Sequence, residues 1–439
     1  MPTATLLEPF RQRREKLMKE MGEKSVAVLC TSPIRNRNND VDYKFRPDSN
    51  FYYVTGFDEP EAVAVLIPDG GDARFILFVL PRDREKETWT GRRHGVEGAK
   101  EHFGADAAYN ISELDAQLPK LLGNRDRLYY RMGKSESFDA RIVAWIETLR
   151  SQVRAGISAP AQILDPASLI HEHRLFKSPE EIVMLKKAGD ATLEAHMKAM
   201  TAAKPGSYEY QVEAIVDFTF RMRGGSGPGY PSIVASGPNA TTLHYINNQR
   251  KLESGDLMLL DAGCEFGYYT ADVTRTFPVS GNYTDPQRAI YEAVLAAQLA
   301  GIEKVKPGVR FQEVHDESAR VLVEHLIKLG ILKGSATDQL KDGKYKRYFM
   351  HRTSHWLGMD VHDCGNYYIS GESRKMEPGM VLTVEPGLYF NEDDDTVEAR
   401  WRGIGVRIED DVLVTPGGHE VLTSAIPKNP TDVEKATRN

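Results

Sequence analysis

Three of the chain's 12 histidines lie in one short stretch, HRTSHWLGMDVHDCG at residues 351–365. Imidazole titrates close to neutral pH, so histidines serve both as metal ligands and as acid–base groups. A single histidine is more often a hydrogen-bonded structural residue than a ligand. Three together favour a functional site, but the stretch alone does not choose between a metal centre and acid–base catalysis.

Two acids in the middle of the chain stand where a charge is costly. Asp261 ends the apolar run DLMLLDAG, and Asp272 lies within YYTADVTRTFPV at 268–279, which is rich in β-branched and aromatic residues. A turn centred between Phe266 and Gly267 would set the two acids opposite each other across an antiparallel pair, with Cβ atoms ~5 Å apart. Buried carboxylates at that distance repel, so we expect a proton or a cation between them.

A second pair of acids follows the same design. Glu385 ends the apolar strand VLTVE, and Glu409 lies in the predicted strand GIGVRIEDDVLV at 403–414, where alternation puts Arg407 on the same face. The four acids are therefore predicted to converge on the centre of one sheet. Carboxylates with one imidazole suit Mn²⁺, and less selectively Co²⁺, Fe²⁺ or Zn²⁺. Two such ions activate water and polarise a carbonyl, which favours hydrolysis of an amide or a phosphate ester.

An internal repeat indicates which elements position these acids. SGDLMLLDAG at 254–263 aligns with PGMVLTVEPG at 378–387, with glycine against glycine at both ends and acid against acid between them. Upstream, KPG occurs at 204–206 and again at 306–308, each time followed by a helical pattern. The shared order favours a duplicated α+β domain in which one sheet is built from two related halves.

The N-terminal part predicts a smaller α/β domain. A helical pattern at 7–22 precedes short apolar runs separated by turn formers. These runs are SVAVLC (25–30), EAVAVLIP (61–68), RFILFVLP (74–81) and RLYYRM (127–132). Residues 156–181 contain three prolines and are interpreted as a linker. A helix is predicted to begin at Ser178, with Glu181 completing a capping box.

Length and composition narrow the class of protein. The 439 residues exceed the usual size of a single core, so we expect two domains, at 1–173 and 174–439. A net charge of −7 argues against nucleic-acid and membrane partners. The three cysteines show no metal or disulfide spacing, and the N-terminus has no apolar segment, so a cytoplasmic protein is predicted.

The chain resembles the pita-bread metallopeptidases, and within them the Xaa-Pro aminopeptidases (the aminopeptidase P group). Five motifs in order carry the resemblance: LLDAGCE (259–265), YTADVTRTFPV (269–279), SHWLGMDVHDCG (354–365), VLTVEPGLY (381–389) and GIGVRIEDD (403–411). Three N-terminal motifs extend it over nearly the full chain: YVTGFDEPEAV (53–63), WTGRRHG (89–95) and RLFKSPEEI (174–182). The resemblance implies a pita-bread catalytic domain with a curved antiparallel sheet.

The resemblance also implies a site for two divalent metal ions, with Mn²⁺ favoured and Co²⁺ or Zn²⁺ as alternatives. Asp261 would bind one metal, while Asp272 and Glu409 would bridge both. His355 and Glu385 would bind the other metal. Glu385 would also shuttle a proton for a water or hydroxide that bridges the two ions.

Residues around the metals are assigned in the same way. The resemblance implies that His244, His351 and His362 hydrogen-bond the substrate and that Arg407 orients groups at the site. Trp89 matches an aromatic that lines the pocket of a neighbouring subunit in relatives, although an interface or core role fits it nearly as well. The remaining histidines are interpreted as structural: 94, 102, 171, 173, 196, 315, 325 and 419.

The implied function is release of an N-terminal residue when proline follows it, in a homodimer or homotetramer whose N-terminal domain governs substrate access and oligomerisation. The alternatives are a prolidase restricted to Xaa-Pro dipeptides, an ester or phosphotriester hydrolase, a metal-free amidinohydrolase and a non-catalytic binding module. One position departs from the family pattern. Arg352 stands where the family has glycine, beside the predicted site, and pointing inward it would narrow the pocket or hold a substrate carboxylate.

Overall fold

Two units make up the chain, Met1–His173 and Arg174–Asn439. The computed structural model describes the backbone of residues 4–438 and the side chains of residues 7–438. Each unit has its own cluster of buried apolar side chains. No helix in the described range is long and apolar enough to cross a membrane.

The first unit is a small α/β domain. Its helices are α1 (Ala4–Met21), α2 (Ser49–Thr55), α3 (Arg84–Thr90), α4 (Gly95–Phe103), α5 (Leu114–Leu122), α6 (Glu136–Ser151) and α7 (Ala167–Leu175), the last of which ends in the second unit. Its strands are β1 (Ser25–Cys30), β2 (Asn36–Asn38), β3 (Val41–Asp42), β4 (Val63–Leu66), β5 (Phe75–Val79), β6 (Ala107–Asn110), β7 (Arg127–Tyr129) and β8 (Gln162–Leu164).

The main sheet of this unit has six strands in the order β6-β5-β4-β1-β7-β8. The pairs β1–β7, β5–β6 and β7–β8 are parallel, while β4 runs antiparallel to both of its neighbours. The four apolar runs read from the sequence correspond to β1, β4, β5 and β7, which confirms the predicted α/β domain. Because these strands are buried, they consist almost wholly of apolar residues.

The predicted linker at 156–181 is wrong for most of its length. It contains β8, all of α7 and the start of the next helix. Pro160 and Pro166 flank β8 and do not interrupt it. The residues of β8 are exposed, as expected for an edge strand, so no apolar run marked it. The predicted helix start at Ser178 is confirmed, because Ser178 and Glu181 form a reciprocal capping box.

The second unit is an α+β domain, as predicted. Its helices are α8 (Pro179–Ala202), α9 (Glu209–Met222), α10 (Asp285–Lys304), α11 (Phe311–Lys328), α12 (Ala336–Asp342) and α13 (Pro430–Arg438). Its strands are β9 (Gly227–Pro228), β10 (Ile233–Ser236), β11 (Leu257–Asp261), β12 (Cys264–Phe266), β13 (Tyr269–Thr270), β14 (Thr274–Pro278), β15 (Tyr368–Ile369), β16 (Glu372–Ser373), β17 (Val381–Val384), β18 (Gly387–Phe390), β19 (Ile404–Arg407), β20 (Asp410–Thr415) and β21 (Gly418–Val421).

The duplication is visible in matched backbone hydrogen bonds. Gly206, in the turn between α8 and α9, donates from its amide to Leu252 O at 2.8 Å, and Gly308, between α10 and α11, donates to Met376 O at 2.8 Å. Leu252 and Met376 precede β11 and β17 by the same number of residues. Both glycines have positive φ, 97° and 84°, which disfavours any side chain there. Each half therefore consists of two helices joined by a KPG turn and followed by a core strand.

The predicted strand register around Asp261 is wrong, because the turn is centred one residue later than predicted. In the pairing of β11 with β14, Asp261 lies opposite Thr274 and not opposite Asp272. The hairpin β12–β13 turns at Gly267 and Tyr268, both with positive φ (57° and 68°), as a two-residue type I′ connection requires. The turn centre lies one residue later than predicted, so the cross-strand partner of Asp261 moves by two residues.

The predicted strand at 403–414 is two strands. β19 pairs with β18, while β20 pairs with β17 in a different sheet. The chain leaves the first sheet at Ile408 and Glu409, and the Glu409 amide donates to Thr274 O at 3.1 Å. This bond joins the second half of the duplication to the first. Glu409 therefore lies at the junction of the two halves.

Candidate active site

A cavity of about 810 Å³ lies in the second unit. The structure brings to it every side chain that the sequence analysis assigned to metal binding or catalysis. These nine residues are His244, Asp261, Asp272, His351, His355, His362, Glu385, Arg407 and Glu409. Their individual roles remain predictions, but all nine line one cavity.

Three of the predicted ligands form a tight group. Asp272, His355 and Glu409 each offer a ligand atom, and these atoms lie within 4.8 Å of one another. His355 Nε2 is 3.2 Å from Asp272 Oδ2 and 3.5 Å from Glu385 Oε1. His355 Nδ1 lies 3.0 Å from Trp356 O, so a proton on Nδ1 is held by the backbone and Nε2 faces the carboxylates.

Asp261 lies at the same cavity with different partners. Its Oδ2 accepts from Arg407 Nη2 at 2.6 Å, and its Oδ1 accepts from the hydroxyl of Tyr230 at 2.7 Å. The ion pair with Arg407 fits the orienting role predicted for that arginine. Tyr230 was missed by the sequence analysis, since an isolated tyrosine in a glycine-rich segment gives no periodic signal.

Two further residues hold the ligands in place and were also missed. The hydroxyl of Thr274 donates to Glu409 Oε2 at 2.7 Å, and the carboxylate of Asp411 accepts from the Asp272 amide at 3.2 and 3.3 Å. Each lies two residues beyond a predicted ligand, which is the spacing of one strand face. That spacing was the signal in the sequence that could have identified Thr274 and Asp411.

Burial and crowding govern the charge of these carboxylates. Burial raises the pKa of Glu385 to about 8, and burial with neighbouring carboxylates raises the pKa values of Asp272 and Glu409. Burial alone would lower the pKa of His355, but the adjacent Asp272 and Glu385 raise it to about 9. Such a cluster is fully ionised only beside added positive charge. An oxygen-rich donor set with one imidazole fits divalent cations of the Mn²⁺ type.

His351 is a neutral imidazole with both nitrogens occupied. Burial lowers its pKa to about 3. Its Nδ1 lies 2.8 Å from Arg352 O, a carbonyl that can only accept, so Nδ1 carries the proton. Its Nε2 lies 2.9 Å from the hydroxyl of Tyr389, which in turn accepts from Arg407 Nη1 at 3.0 Å. Tyr389 therefore donates to His351 and completes a chain of hydrogen bonds from Asp261 through Arg407.

His244 and His362 have open ring nitrogens. Both are exposed at the cavity, and neither hydrogen-bonds to another group in the described part of the chain. The rings of His362 and His355 stand edge to face, with centroids 4.4 Å apart. A peptide in the cavity would therefore meet two imidazoles that are able to donate or accept.

His315 was interpreted as structural, and its hydrogen bond to a neighbouring hydroxyl is compatible with that role. His315 lines the cavity, and its Nδ1 lies 2.9 Å from the hydroxyl of Thr353. Burial lowers its pKa to about 4, and the charge of Arg352 acts in the same direction. His196 is fully buried and bonds to Ala262 O at 3.0 Å, which agrees with a structural role.

Comparison with known proteins identifies the family of both units. The model of metallopeptidase family M24 matches residues 183–416, and the model of the aminopeptidase P N-terminal domain matches residues 10–129. The chain is 43% identical to the Xaa-Pro aminopeptidase of Escherichia coli K12 over 428 residues, which is 97% of each protein.

Solved structures give the same result. A Pseudomonas aeruginosa aminopeptidase superposes with a TM-score of 0.97 at 44% identity, covering 100% of this chain and 98% of its own. Zinc-substituted Escherichia coli aminopeptidase P in complex with product superposes at 0.95 and 43% identity, covering 98% of each chain. These matches confirm the pita-bread fold of the second unit. The chain belongs to metallopeptidase family M24 and carries the N-terminal domain of aminopeptidase P.

Proposed function

We propose that the chain is a Xaa-Pro aminopeptidase that removes the N-terminal residue of a peptide when proline follows it. The observation that carries the proposal is a single cavity with four acidic side chains, Asp261, Asp272, Glu385 and Glu409, beside His355. Full-length similarity to enzymes named for this activity supports it. A proline nitrogen carries no N–H in a peptide bond, so a peptidase that grips that hydrogen cannot use such a substrate.

The same five side chains are proposed to hold two divalent metal ions, with Mn²⁺ favoured. When bound, such ions polarise the scissile carbonyl and lower the pKa of a water molecule. Thr274 and Asp411 fix Glu409 and Asp272, so these two ligands are held before any ion binds. Arg407 holds the side chain of Asp261 at the cavity through an ion pair of 2.6 Å.

Proton transfer is assigned to Glu385, whose raised pKa suits a group that accepts a proton and then delivers it to the leaving nitrogen. His244 and His362, with open ring nitrogens, are proposed to hydrogen-bond the peptide. His351 is better placed to shape the site than to donate directly, because both of its nitrogens already have partners. A substrate would have to displace the hydroxyl of Tyr389 to reach it.

A peptide series tests the proposed activity. We expect release of the first residue from Xaa-Pro-Xaa peptides, with kcat/KM lower by roughly 10²-fold or more when alanine replaces proline, because the proposed activity selects proline after the scissile bond. Chromatography of the products measures both rates. Cleavage of Xaa-Pro dipeptides alone would contradict the proposal and favour a prolidase.

A homodimer or homotetramer is also proposed, with the N-terminal unit in the interface. Trp89 is 85% exposed and Tyr43 is 58% exposed on that unit, so a core role for Trp89 is wrong and burial by another subunit fits both aromatics. A mass of two or four subunits by light scattering is expected, and a monomer at micromolar concentration would contradict it.

Three free thiols support a reducing, cytoplasmic location.

A further inference from the structure

We infer that Arg352 binds the C-terminal carboxylate of a short peptide, so that the enzyme favours substrates that end within reach of the cavity mouth. The inference deepens the proposed function, because it assigns a substrate class to the same cavity.

Arg352 lies at the cavity, and its guanidinium has no carboxylate partner among the described residues. It follows His351 directly, lines the same cavity and is exposed. Its Nη1 donates to Gln312 Oε1 at 2.9 Å. Over residues 7–438, no carboxylate oxygen lies within the 4.0 Å of an ion pair with this guanidinium. The remaining N–H groups of the fork are therefore available to an incoming anion.

Gln312 links this cation to an acid on α11, Asp316, through hydrogen bonds to both. The Gln312 side chain donates from Nε2 to Asp316 Oδ1 at 2.8 Å while its Oε1 accepts from Arg352. The backbone amide of Gln312 is held in turn by Ser373 Oγ at 3.0 Å. The side-chain amide of Gln312 thus fixes the direction of the Arg352 guanidinium without neutralising its charge. A cation oriented in this way loses less freedom when it binds a carboxylate.

Three other basic groups that line the cavity, Arg407, His351 and His315, already have partners. Arg407 is 3% exposed and already forms an ion pair with Asp261. Both ring nitrogens of His351 are hydrogen-bonded, to Arg352 O and to the hydroxyl of Tyr389, and His315 is bonded through Nδ1 to the hydroxyl of Thr353. Of the two arginines that line the cavity, Arg352 is therefore the one that is exposed and free of an ion pair over residues 7–438, so it can meet a peptide anion.

The walls beside Arg352 suit a peptide backbone with apolar side chains. Ile246 and Tyr368 line the cavity and remain 55% and 54% exposed, and the half-buried Phe311 and Tyr367 line it as well. Apolar walls with one fixed cation match a short peptide that ends in a free carboxylate. The terminal carboxylate of a longer peptide would lie beyond the cavity mouth, so Arg352 would not stabilise binding of that peptide.

Paired substrates that differ only in the terminal group test this inference. The probes are one Xaa-Pro-Xaa tripeptide as the free acid and the same tripeptide as the C-terminal amide. For the wild-type enzyme we expect kcat/KM to be about 5- to 20-fold higher for the acid, as suits a charge-assisted contact at a partly exposed site. Arg352→Gln should reduce this ratio to about twofold or less, because it slows hydrolysis of the acid much more than hydrolysis of the amide.

Arg347→Gln is the matched control, because Arg347 is an exposed arginine paired with Asp394 and does not line the cavity. It should keep the wild-type ratio. Equal wild-type rates on acid and amide would overturn the inference, as would a ratio that survives Arg352→Gln. A variant that is faster on both peptides by the same factor would mean that Arg352 acts only by bulk, which also overturns it. Wild-type enzyme that cleaves neither peptide would contradict the proposed function itself.

Discussion

Asp272→Asn is expected to abolish hydrolysis of a Xaa-Pro-Xaa peptide even at saturating Mn²⁺. Wild-type enzyme stripped of metal by a chelator should also be inactive but should recover when Mn²⁺ is restored. Asp272 is 5% exposed and lies 3.2 Å from His355, so the substitution removes an anionic oxygen from the centre of the predicted ligand set. We expect kcat/KM to fall by at least ~10³-fold, beyond the loss typical of residues that only support a metal ligand.

Metal content separates this explanation from a folding defect. Asparagine keeps the shape of the side chain, and the backbone amide of residue 272 retains its bond to the Asp411 carboxylate, so the variant should fold. Mass spectrometry of the metal content should show less than the wild-type amount bound. Asp393→Asn, on an exposed loop, is the matched control and should change neither quantity. Near-wild-type turnover or an unchanged metal content in the Asp272 variant would refute its role as a ligand.

The positions of the four acids were predictable because a charged residue within an apolar segment is costly to bury, and such residues are easily recognised in the sequence. An acid at the end of an apolar run such as DLMLLD needs a partner, and this requirement placed Asp261 and Glu385 at one site. Their cross-strand partners were not predictable from the same pattern. The turn at Gly267 and Tyr268 sets the register, and a tyrosine with positive φ gives no warning in the sequence.

Contacts between segments distant in sequence were the part that the sequence did not reveal. Tyr389 lies within a quoted motif, yet its bonds to His351 and Arg407 depend on how β18 and β19 pair. Tyr230 reaches Asp261 from a segment without a periodic pattern. A hydroxyl at the end of an aromatic ring leaves the same apolar signal as a core residue. Only the fold distinguishes the two uses.

The largest loss of stability is expected from Asp410→Leu, about 3–5 kcal/mol in the free energy of unfolding, because it leaves a buried arginine without its counter-charge. Arg275 and Asp410 are both fully buried and form an ion pair of 2.7 Å. The second oxygen of Asp410 accepts from Lys428 Nζ at 2.6 Å and from Gln298 Nε2 at 2.9 Å. Urea unfolding of metal-free protein at pH 7 measures the change.

The choice of pH 7 follows from the titration of Asp410. Burial would raise its pKa, but the charges of Arg275 and Lys428 outweigh burial and lower it. A group whose folded pKa is lowered stabilises fully above its unfolded value, about 3.9 for aspartate. The contribution is then lost as the pH falls through the lower folded value. At pH 7 the comparison therefore contains the whole effect, and the difference between wild type and variant should shrink in acid.

A double variant distinguishes loss of an ion pair from loss of packing. Arg275 also donates to backbone oxygens of Thr274 and Glu409, so the pair lies directly behind a predicted ligand. Arg275→Met/Asp410→Leu removes both charges of the fully buried pair, and Lys428, which is 19% exposed, keeps its hydrogen bond to Gln298 Oε1 at 3.1 Å. We therefore expect the double variant to recover much of the loss caused by Asp410→Leu. Glu292→Leu removes an exposed pair with Arg288 and should cost less than about 1 kcal/mol. If Asp410→Leu is as stable as wild type, the network does not support the site as the structure indicates.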